Sequence, residues 1–375
     1  MANMATESIF LKVSCVNGKY VGLMCVHVLL VLLLSSIATS SKTILDTLPG
    51  YPGTLPFKLE TGYVAVGEID DLELFYYFVE SQRNPVRDPL VLWLTGGPGC
   101  SALSGLLYEI GPLTFDYAAF NGSRPTLVQN PYSWTEVANV IFLDAPVGTG
   151  FSYSHTQEGY YSSDTESPQA IYLFLRKWLL DHPRYIKNPL YIAGDSYSGV
   201  IVPQVTLLIS NGNRDGSVPP MSLLSIKAGC NEEYVDPDIN NSTCIDDIGL
   251  VAEGTITDWK RCNKSLAYDS NLRTVVHYHD ELLKRGYRAL IYSGDHDMMI
   301  PYVGTLAWIN FLNMTMVDGW RPWTVDGQIA GFTEKYARAS GDGLTFATGG
   351  GHTAPEYKPK ECLEMADRWM SFYGL

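Results

Sequence analysis

Basic residues are scarce in this sequence. Lys and Arg number 26 against 40 Asp and Glu, a formal net charge of −14 at pH 7 over 375 residues. Phosphate backbones attract cationic surfaces, so nucleic acid is excluded as the natural partner. Internal repeats and low-complexity tracts are absent. With 46% hydrophobic residues, the composition excludes a fibrous or disordered chain. Beyond the first 40 residues no apolar run is long enough to cross a bilayer. Cysteine is sparse too: of seven in all, Cys100, Cys230, Cys244, Cys262 and Cys362 lie beyond the N-terminal segment.

That segment is built differently. Lys12 and Lys19 precede an apolar run from Val21 to Ile37, and the small residues Ala38, Thr39, Ser40 and Ser41 follow. This is the layout of a secretory signal peptide, residues 1–40, with cleavage near 38–42. The run is slightly long and contains His27, so the alternative is an uncleaved signal anchor, although no full-length spanning pattern follows. After cleavage no stable membrane span is expected. N-x-S/T sequons at Asn121, Asn240, Asn241, Asn263 and Asn313 fit secretion. Asn240 and Asn241 overlap and are not expected to be modified together. In an oxidising compartment four of the five remaining cysteines pair, and spacing alone does not say which.

The rest of the chain is organised around Leu190-Tyr191-Ile192-Ala193-Gly194-Asp195-Ser196-Tyr197-Ser198-Gly199. An apolar run meets Gly194, Ser196 follows two residues on, and small residues lead into a new apolar segment. This reads as a buried strand, a sharp turn and a helix, with Ser196 at the apex of a nucleophile elbow. Ser198 takes the place of the usual last Gly and is small enough for the turn. The plainer reading is a surface Ser in an ordinary strand-to-helix turn.

The order of elements supports the elbow. Gly62–Gly67 and Leu72–Val79 read as an antiparallel pair. Pro89–Leu94 and Asn139–Leu143 are continuous apolar runs that suit fully buried strands. From Ser167 to Asp181, Ile171, Phe174, Leu175, Trp178 and Leu179 recur at helical spacing. Residues 211–271 lose the pattern and read as a shortened, disulfide-bearing insertion. A helix near Val275–Lys284, a strand at Arg288–Ser293, a last strand at Leu344–Ala347 and a final helix from about Pro359 to Tyr373 follow. Alternation of strand and helix predicts a single α/β domain, residues 41–375, with a mostly parallel central sheet and helices on both faces.

Three strand ends then present Ser196, an acid from Asp295 or Asp297, and His352. Ser, Asp, His is the chain order of an α/β-hydrolase triad, and parallel strand ends share one crevice. A serine hydroxyl needs a base within hydrogen-bond reach, and the base needs an acceptor to fix its tautomer. His352, after three glycines, is the best of seven histidines for that role. His155, His182, His277, His279 and His296 read as surface or packing residues. An oxyanion hole needs two donors. The Tyr197 N–H is one, and the Gly97 N–H in Thr95-Gly96-Gly97-Pro98-Gly99-Cys100 is the second. A phosphate cradle is excluded because that loop lacks the Lys and Ser/Thr of a P-loop.

Trp93–Ser101, Asp144–Tyr153, Gly194-Asp195-Ser196-Tyr197 and Gly351-His352 resemble the serine carboxypeptidase family. The resemblance runs from about residue 50 to the C-terminus. It implies an α/β-hydrolase fold, an acyl-enzyme mechanism, and neither metal nor organic cofactor. It assigns the triad acid to Asp297, pairs Cys100 with Cys262 and Cys230 with Cys244, and leaves Cys362 as a thiol. It implies a secretory-pathway protein, extracellular or vacuolar, acting on a small-molecule ester or a peptide.

The departures bear on substrate. Peptidase members hold Asn before Gly-Gly-Pro-Gly and Glu before the nucleophile, and these grip the substrate's terminal carboxylate. Thr95 and Asp195 occupy those places here, beside Gly96. Both changes should weaken carboxylate binding. Glu109 is similar to a further substrate-pocket acid of the family, and its plainer reading is a solvated surface charge. Thr95, Asp195 and Gly349–Tyr357 look like the plant acyltransferase branch, in which an alcohol takes the acyl group of a glucose ester. Family members also carry more chain between the elbow helix and the cysteine pair, including a further strand, and a third disulfide that has no cysteines here. Three readings follow: acyltransferase, carboxypeptidase, or an inactive secreted protein that has lost a central strand.

Overall fold

The computed structural model describes residues 42–118, 120, 125–229, 259–298, 300–338 and 343–375. Twelve strands form one mixed sheet. In chain order they are β1 (Lys42–Leu45), β2 (Leu59–Val66), β3 (Leu72–Val79), β4 (Leu90–Leu94), β5 (Asn139–Leu143), β6 (Tyr153–Ser154), β7 (Leu190–Gly194), β8 (Leu223–Gly229), β9 (Arg288–Ser293), β10 (Thr315–Val325), β11 (Gln328–Ala337) and β12 (Gly343–Thr348). The sheet order is β1-β2-β3-β5-β4-β7-β8-β9-β12-β11-β10, with β6 paired to β3. From β5 to β12 every neighbouring pair is parallel. Both flanks are antiparallel.

The helices are α1 (Ser167–Asp181), α2 (Ser198–Arg214), α3 (Val276–Lys284), α4 (Tyr302–Phe311), α5 (Ala354–Tyr357) and α6 (Pro359–Met370). Strand β7 shows why both faces are covered. Its side chains alternate, so Leu190 and Ile192 join one apolar cluster and Tyr191 and Ala193 the other. The first cluster takes the apolar stripes of α1 and α2, including Phe174, Trp178, Val202 and Val205. The second takes Met365, Ala366 and Trp369 of α6, whose indole meets the Tyr191 ring at 5.7 Å. The expected helix over Ser167–Asp181 forms with the expected residues inward.

The sheet is not missing a central strand, which overturns the expectation drawn from the shortened middle. Leu223–Gly229 occupies the central place, hydrogen-bonded in parallel to β7 on one side and β9 on the other. The connection from α2 is short because the Asn213 amide clasps Met221. It donates to the Met221 carbonyl at 2.8 Å and accepts the Met221 N–H at 2.9 Å. The segment read as an insertion, 211–271, therefore opens with the end of α2 and a core strand. Residues 230–258 lie outside the described residues, and with them the expected Cys230–Cys244 pair and the sequons at Asn240 and Asn241. The signal segment and Asn121 also lie outside them.

The long β10–β11 hairpin was not anticipated. Its turn is Asp326-Gly327, with φ +48° and +76°. Asp-Gly between two extended runs is the short-range signal that marks it. Among the described residues no helix is long and apolar enough to cross a membrane.

Candidate active site

The elbow is built by close approach. A Cβ on Gly194 would lie 2.3 Å from the Leu94 carbonyl oxygen and 2.3 Å from Ser198 Oγ, so only glycine fits the neck. Ser196 then turns with φ +57°. A non-glycine residue held there costs on the order of 1–3 kcal/mol and persists only where its surroundings impose it. Here the Ser198 N–H donates to the Asp195 carbonyl at 3.1 Å and the Gly199 N–H to the Ser196 carbonyl at 2.9 Å. Ser196 stands half-buried at the apex, just before α2.

The glycine loop after β4 packs directly on this apex. A Cβ on Gly96 would sit 2.2 Å from Ser196 Cβ and 2.5 Å from the Tyr197 nitrogen. Gly97 is exposed and has φ +120°. The loop is stitched to a distant segment. The Ser101 N–H donates to the Arg261 carbonyl at 2.7 Å and the Asn263 N–H to the Gly99 carbonyl at 2.8 Å. Between those two bonds lies the Cys100–Cys262 disulfide, formed as the resemblance implied. Behind the loop, Asp144 is fully buried and accepts from Ser101 Oγ at 2.7 Å, the Ala102 N–H at 2.7 Å and the Phe151 N–H at 2.9 Å. Burial pushes its carboxyl up to about 6, against those three donors.

The acid and the imidazole meet on the same rim. His352 Nδ1 lies 2.9 Å from Asp297 Oδ2. A carboxylate accepts only, so Nδ1 carries the proton in that bond and Nε2 is left as the basic nitrogen. Asp297 Oδ1 accepts the Ile300 N–H at 3.1 Å, which orients the carboxylate. Of the two candidate acids, Asp297 is buried and meets the imidazole, whereas Asp295 is exposed. The two loops run in contact, with the His296 N–H donating to the Gly350 carbonyl at 3.0 Å. A Cβ on Gly294 would strike the Gly351 carbonyl oxygen at 2.2 Å. Thr95–Cys100, Ser196, Asp297 and His352 thus follow the C-terminal ends of β4, β7, β9 and β12, on one edge of the parallel sheet.

A second group of polar atoms lies under the loop. Glu109, at the end of one wide helical turn over Gly105–Glu109, is only 3% exposed, which excludes the surface reading. Asp195 is 7% exposed. Burial pushes the Asp195 carboxyl up to about 7, partly offset by the Gly96 amide and the Arg261 guanidinium. Burial, then the charges of Asp195 and Glu356, hold the Glu109 carboxyl well above the usual carboxylate range. Among the described residues, Glu109 Oε2, Asp195 Oδ1 and Thr95 Oγ1 are buried with no hydrogen-bond partner. Arg261, the nearby cation, lies 4.5 Å from the Tyr108 ring centre and donates through Nε to Ser104 Oγ at 3.1 Å.

Of the sequons within the described residues, Asn313 is exposed. Asn263 is half-buried and its amide already donates to the Gly148 carbonyl at 3.0 Å. Cys362 is buried. His182 is buried on Glu60, and His279 stacks on Trp308, both as packing residues. Among the described residues, no group of three His, Cys, Asp or Glu is placed to hold a metal ion. Sequence reasoning missed Asp164, a buried carboxylate bonded to Tyr197, because no motif surrounds it.

Comparison with known proteins gives consistent matches. The serine carboxypeptidase family matches residues 49–248 and 227–372. Serine carboxypeptidase-like 17 of Arabidopsis thaliana is 40% identical over 427 aligned positions, covering 92% of this chain and 96% of the relative. Serine carboxypeptidase-like 10 of the same plant is 41% identical, covering 92% and 98%. These alignments are longer than the 375-residue chain, so the relatives carry stretches this chain lacks. Among solved structures, the prohormone-processing carboxypeptidase Kex1(Δ)p of Saccharomyces cerevisiae superposes with a TM-score of 0.69 at 18% identity, covering 84% of this chain and 91% of that one.

Proposed function

This chain belongs to the serine carboxypeptidase family and is a hydrolase of that type; from that premise we propose that it works through a Ser-His-Asp acyl-enzyme and transfers the acyl group of a glucose ester to an alcohol. The observation that carries the reading is the His352–Asp297 bond on the rim where Ser196 is held at positive φ against Gly96. Ser196 Oγ attacks the ester carbonyl while His352 Nε2 takes its proton, and Asp297 stabilises the imidazolium. The Gly97 and Tyr197 amides receive the oxyanion. Collapse expels glucose, whose oxygen takes the proton from His352. An acceptor hydroxyl then gives its proton to His352 and attacks the acyl-enzyme, which frees Ser196. Both half-reactions exchange one C–O bond for another, so no metal or organic cofactor is required.

The preference for transfer rests on the donor site. Thr95 and Asp195 stand where peptidase members hold Asn and Glu. With its carboxyl raised to about 7, Asp195 is a neutral acid under mildly acidic conditions. A neutral carboxyl both donates and accepts, which suits sugar hydroxyls. Thr95, Gly96, Asp195 and Glu109 therefore form the donor-binding wall. The family match favours a second reading, removal of C-terminal amino acids from peptides. The N-terminal pattern supports the secretory route, to the outside or the vacuole.

Incubation with 1-O-benzoylglucose and a panel of alcohols decides between them. Benzoyl esters of an alcohol are the expected product. Hydrolysis alone removes the transfer claim. Release of amino acids from blocked dipeptides at acidic pH, lost in Ser196→Ala, establishes the peptidase. A fluorophosphonate probe is expected to label Ser196, and failure to label supports the inactive reading.

A further inference from the structure

We propose that Asp164 is a positioning residue that holds the oxyanion-binding amide of Tyr197 in place; this rests on the reading of Ser196 as the nucleophile. Asp164 lies just before α1 and has no exposed surface. A buried carboxylate is costly unless its oxygens are taken up. Here Oδ1 accepts from the phenols of Tyr197 at 2.8 Å and Tyr268 at 2.9 Å, and Oδ2 accepts the Leu272 N–H at 2.9 Å. The Tyr197 oxygen also lies 2.7 Å from Ser270 Oγ. The phenol has one proton and two acceptors in reach, Asp164 Oδ1 and Ser270 Oγ, and the carboxylate is the stronger acceptor. The Tyr197 ring stands edge-on to that of Tyr268, at 6.1 Å and 82°.

Tyr197 directly follows the nucleophile, and its backbone N–H is one of the two oxyanion donors. That amide belongs to the opening of α2, where the first N–H groups have no helical acceptor to fix them. The peptide before it leaves a serine at φ +57°, a conformation with little intrinsic preference. Three constraints act on it. The Gly199 N–H holds the Ser196 carbonyl of the same peptide unit at 2.9 Å. Gly96 presses on the Tyr197 nitrogen from the loop side. Asp164 anchors the far end of the same residue, so a displacement of the Tyr197 Cα strains a buried hydrogen bond.

The test uses the full secreted chain with p-nitrophenyl acetate. Tyr197→Phe is expected to lower kcat about tenfold with KM within about twofold, short of the loss on the order of 10²–10³-fold when an oxyanion donor is removed outright. Asp164→Ala is expected to lower kcat at least as much. The double variant Asp164→Ala/Tyr197→Phe is expected to match Asp164→Ala alone, since both act through one bond. Parental kcat in Tyr197→Phe, a loss carried by KM, or additive losses in the double variant overturn the proposal. If Asp164→Ala does not fold, Tyr197→Phe still decides, because it keeps the carboxylate and its other two donors. Ser196→Ala separates the two readings. Parental turnover in that variant removes the nucleophile itself. Loss there with parental kcat in Tyr197→Phe removes only the positioning role.

Discussion

At the scale of single residues, the site depends on places where no side chain fits. Gly96→Ala would drive a methyl group into Ser196 Cβ and the Tyr197 amide, both part of a tight turn that cannot yield. Turnover of a p-nitrophenyl ester is expected to fall more than about 100-fold, because the proposed nucleophile and oxyanion donor are displaced together. The circular-dichroism spectrum is expected to stay parental, since the change lies on a loop. The sequence marked the loops that carry the proposed site residues. Glycine runs and an isolated Ser and His after apolar runs are local signals, and they led to Ser196, Gly97 and His352. It could not choose between Asp295 and Asp297 from the residues alone. That choice depends on which carboxylate the loop turns inward, a matter of three-dimensional packing. Asp164 was invisible for the same reason, since its partners lie 33 and 104 positions away.

At the scale of elements, the loop after β4 is held by chain from the other half of the sequence. The Cys100–Cys262 disulfide closes a separation of 162 residues. Loop entropy assigns such a cross-link about 5 kcal/mol. Cys100→Ser/Cys262→Ser is expected to unfold at clearly lower denaturant with a changed m-value, and to lose esterase activity before it loses secondary structure. Urea titration followed in parallel by fluorescence and turnover checks this. Strand β8 gives a second expectation. Proline at Ile226 removes a backbone donor from a strand with neighbours on both sides, a place where proline is not tolerated. Ile226→Pro is expected to be recovered only as aggregate, measured by its soluble fraction. Periodicity located α1 and the buried strands β4, β5, β7 and β9 closely, because each carries a long uniform pattern. It failed at β8, where a short run, Leu223–Ile226, sits among turn residues. It also passed over β10, whose side chains are mostly exposed and therefore show no alternation.

At the scale of the whole molecule, acidity and stability are linked through buried carboxyls. Asp195 and Asp144 have folded-state values raised to about 7 and about 6. A raised acid binds more protons folded than unfolded, so its contribution is full below the unfolded value near 4 and is lost as pH rises through the folded value. The melting temperature is therefore expected to rise as pH falls from 8 to 5, and Asp195→Asn is expected to flatten that slope. Scanning fluorimetry across this window reads both. Relief of self-repulsion in a chain of net charge −14 acts in the same direction as carboxylates begin to protonate. Glycan mapping of secreted protein is expected to find Asn313 occupied and Asn263 bare, because the Asn263 amide is already engaged. The sequon pattern treated the two alike, since it reads three residues and not the carbonyl of Gly148.

The stitching of Gly99–Ser101 to Arg261–Asn263 sets a timetable for synthesis. A nascent chain still short of Cys262 holds Ser196 and the Asp144 contacts behind the loop but lacks the disulfide that staples it, and one short of His352 lacks the proposed base. The proposed nucleophile is thus translated well before the proposed base. A ribosome-bound fragment short of residue 352 therefore lacks the Asp297–His352 pair, and the proposed centre closes only when the chain is nearly complete.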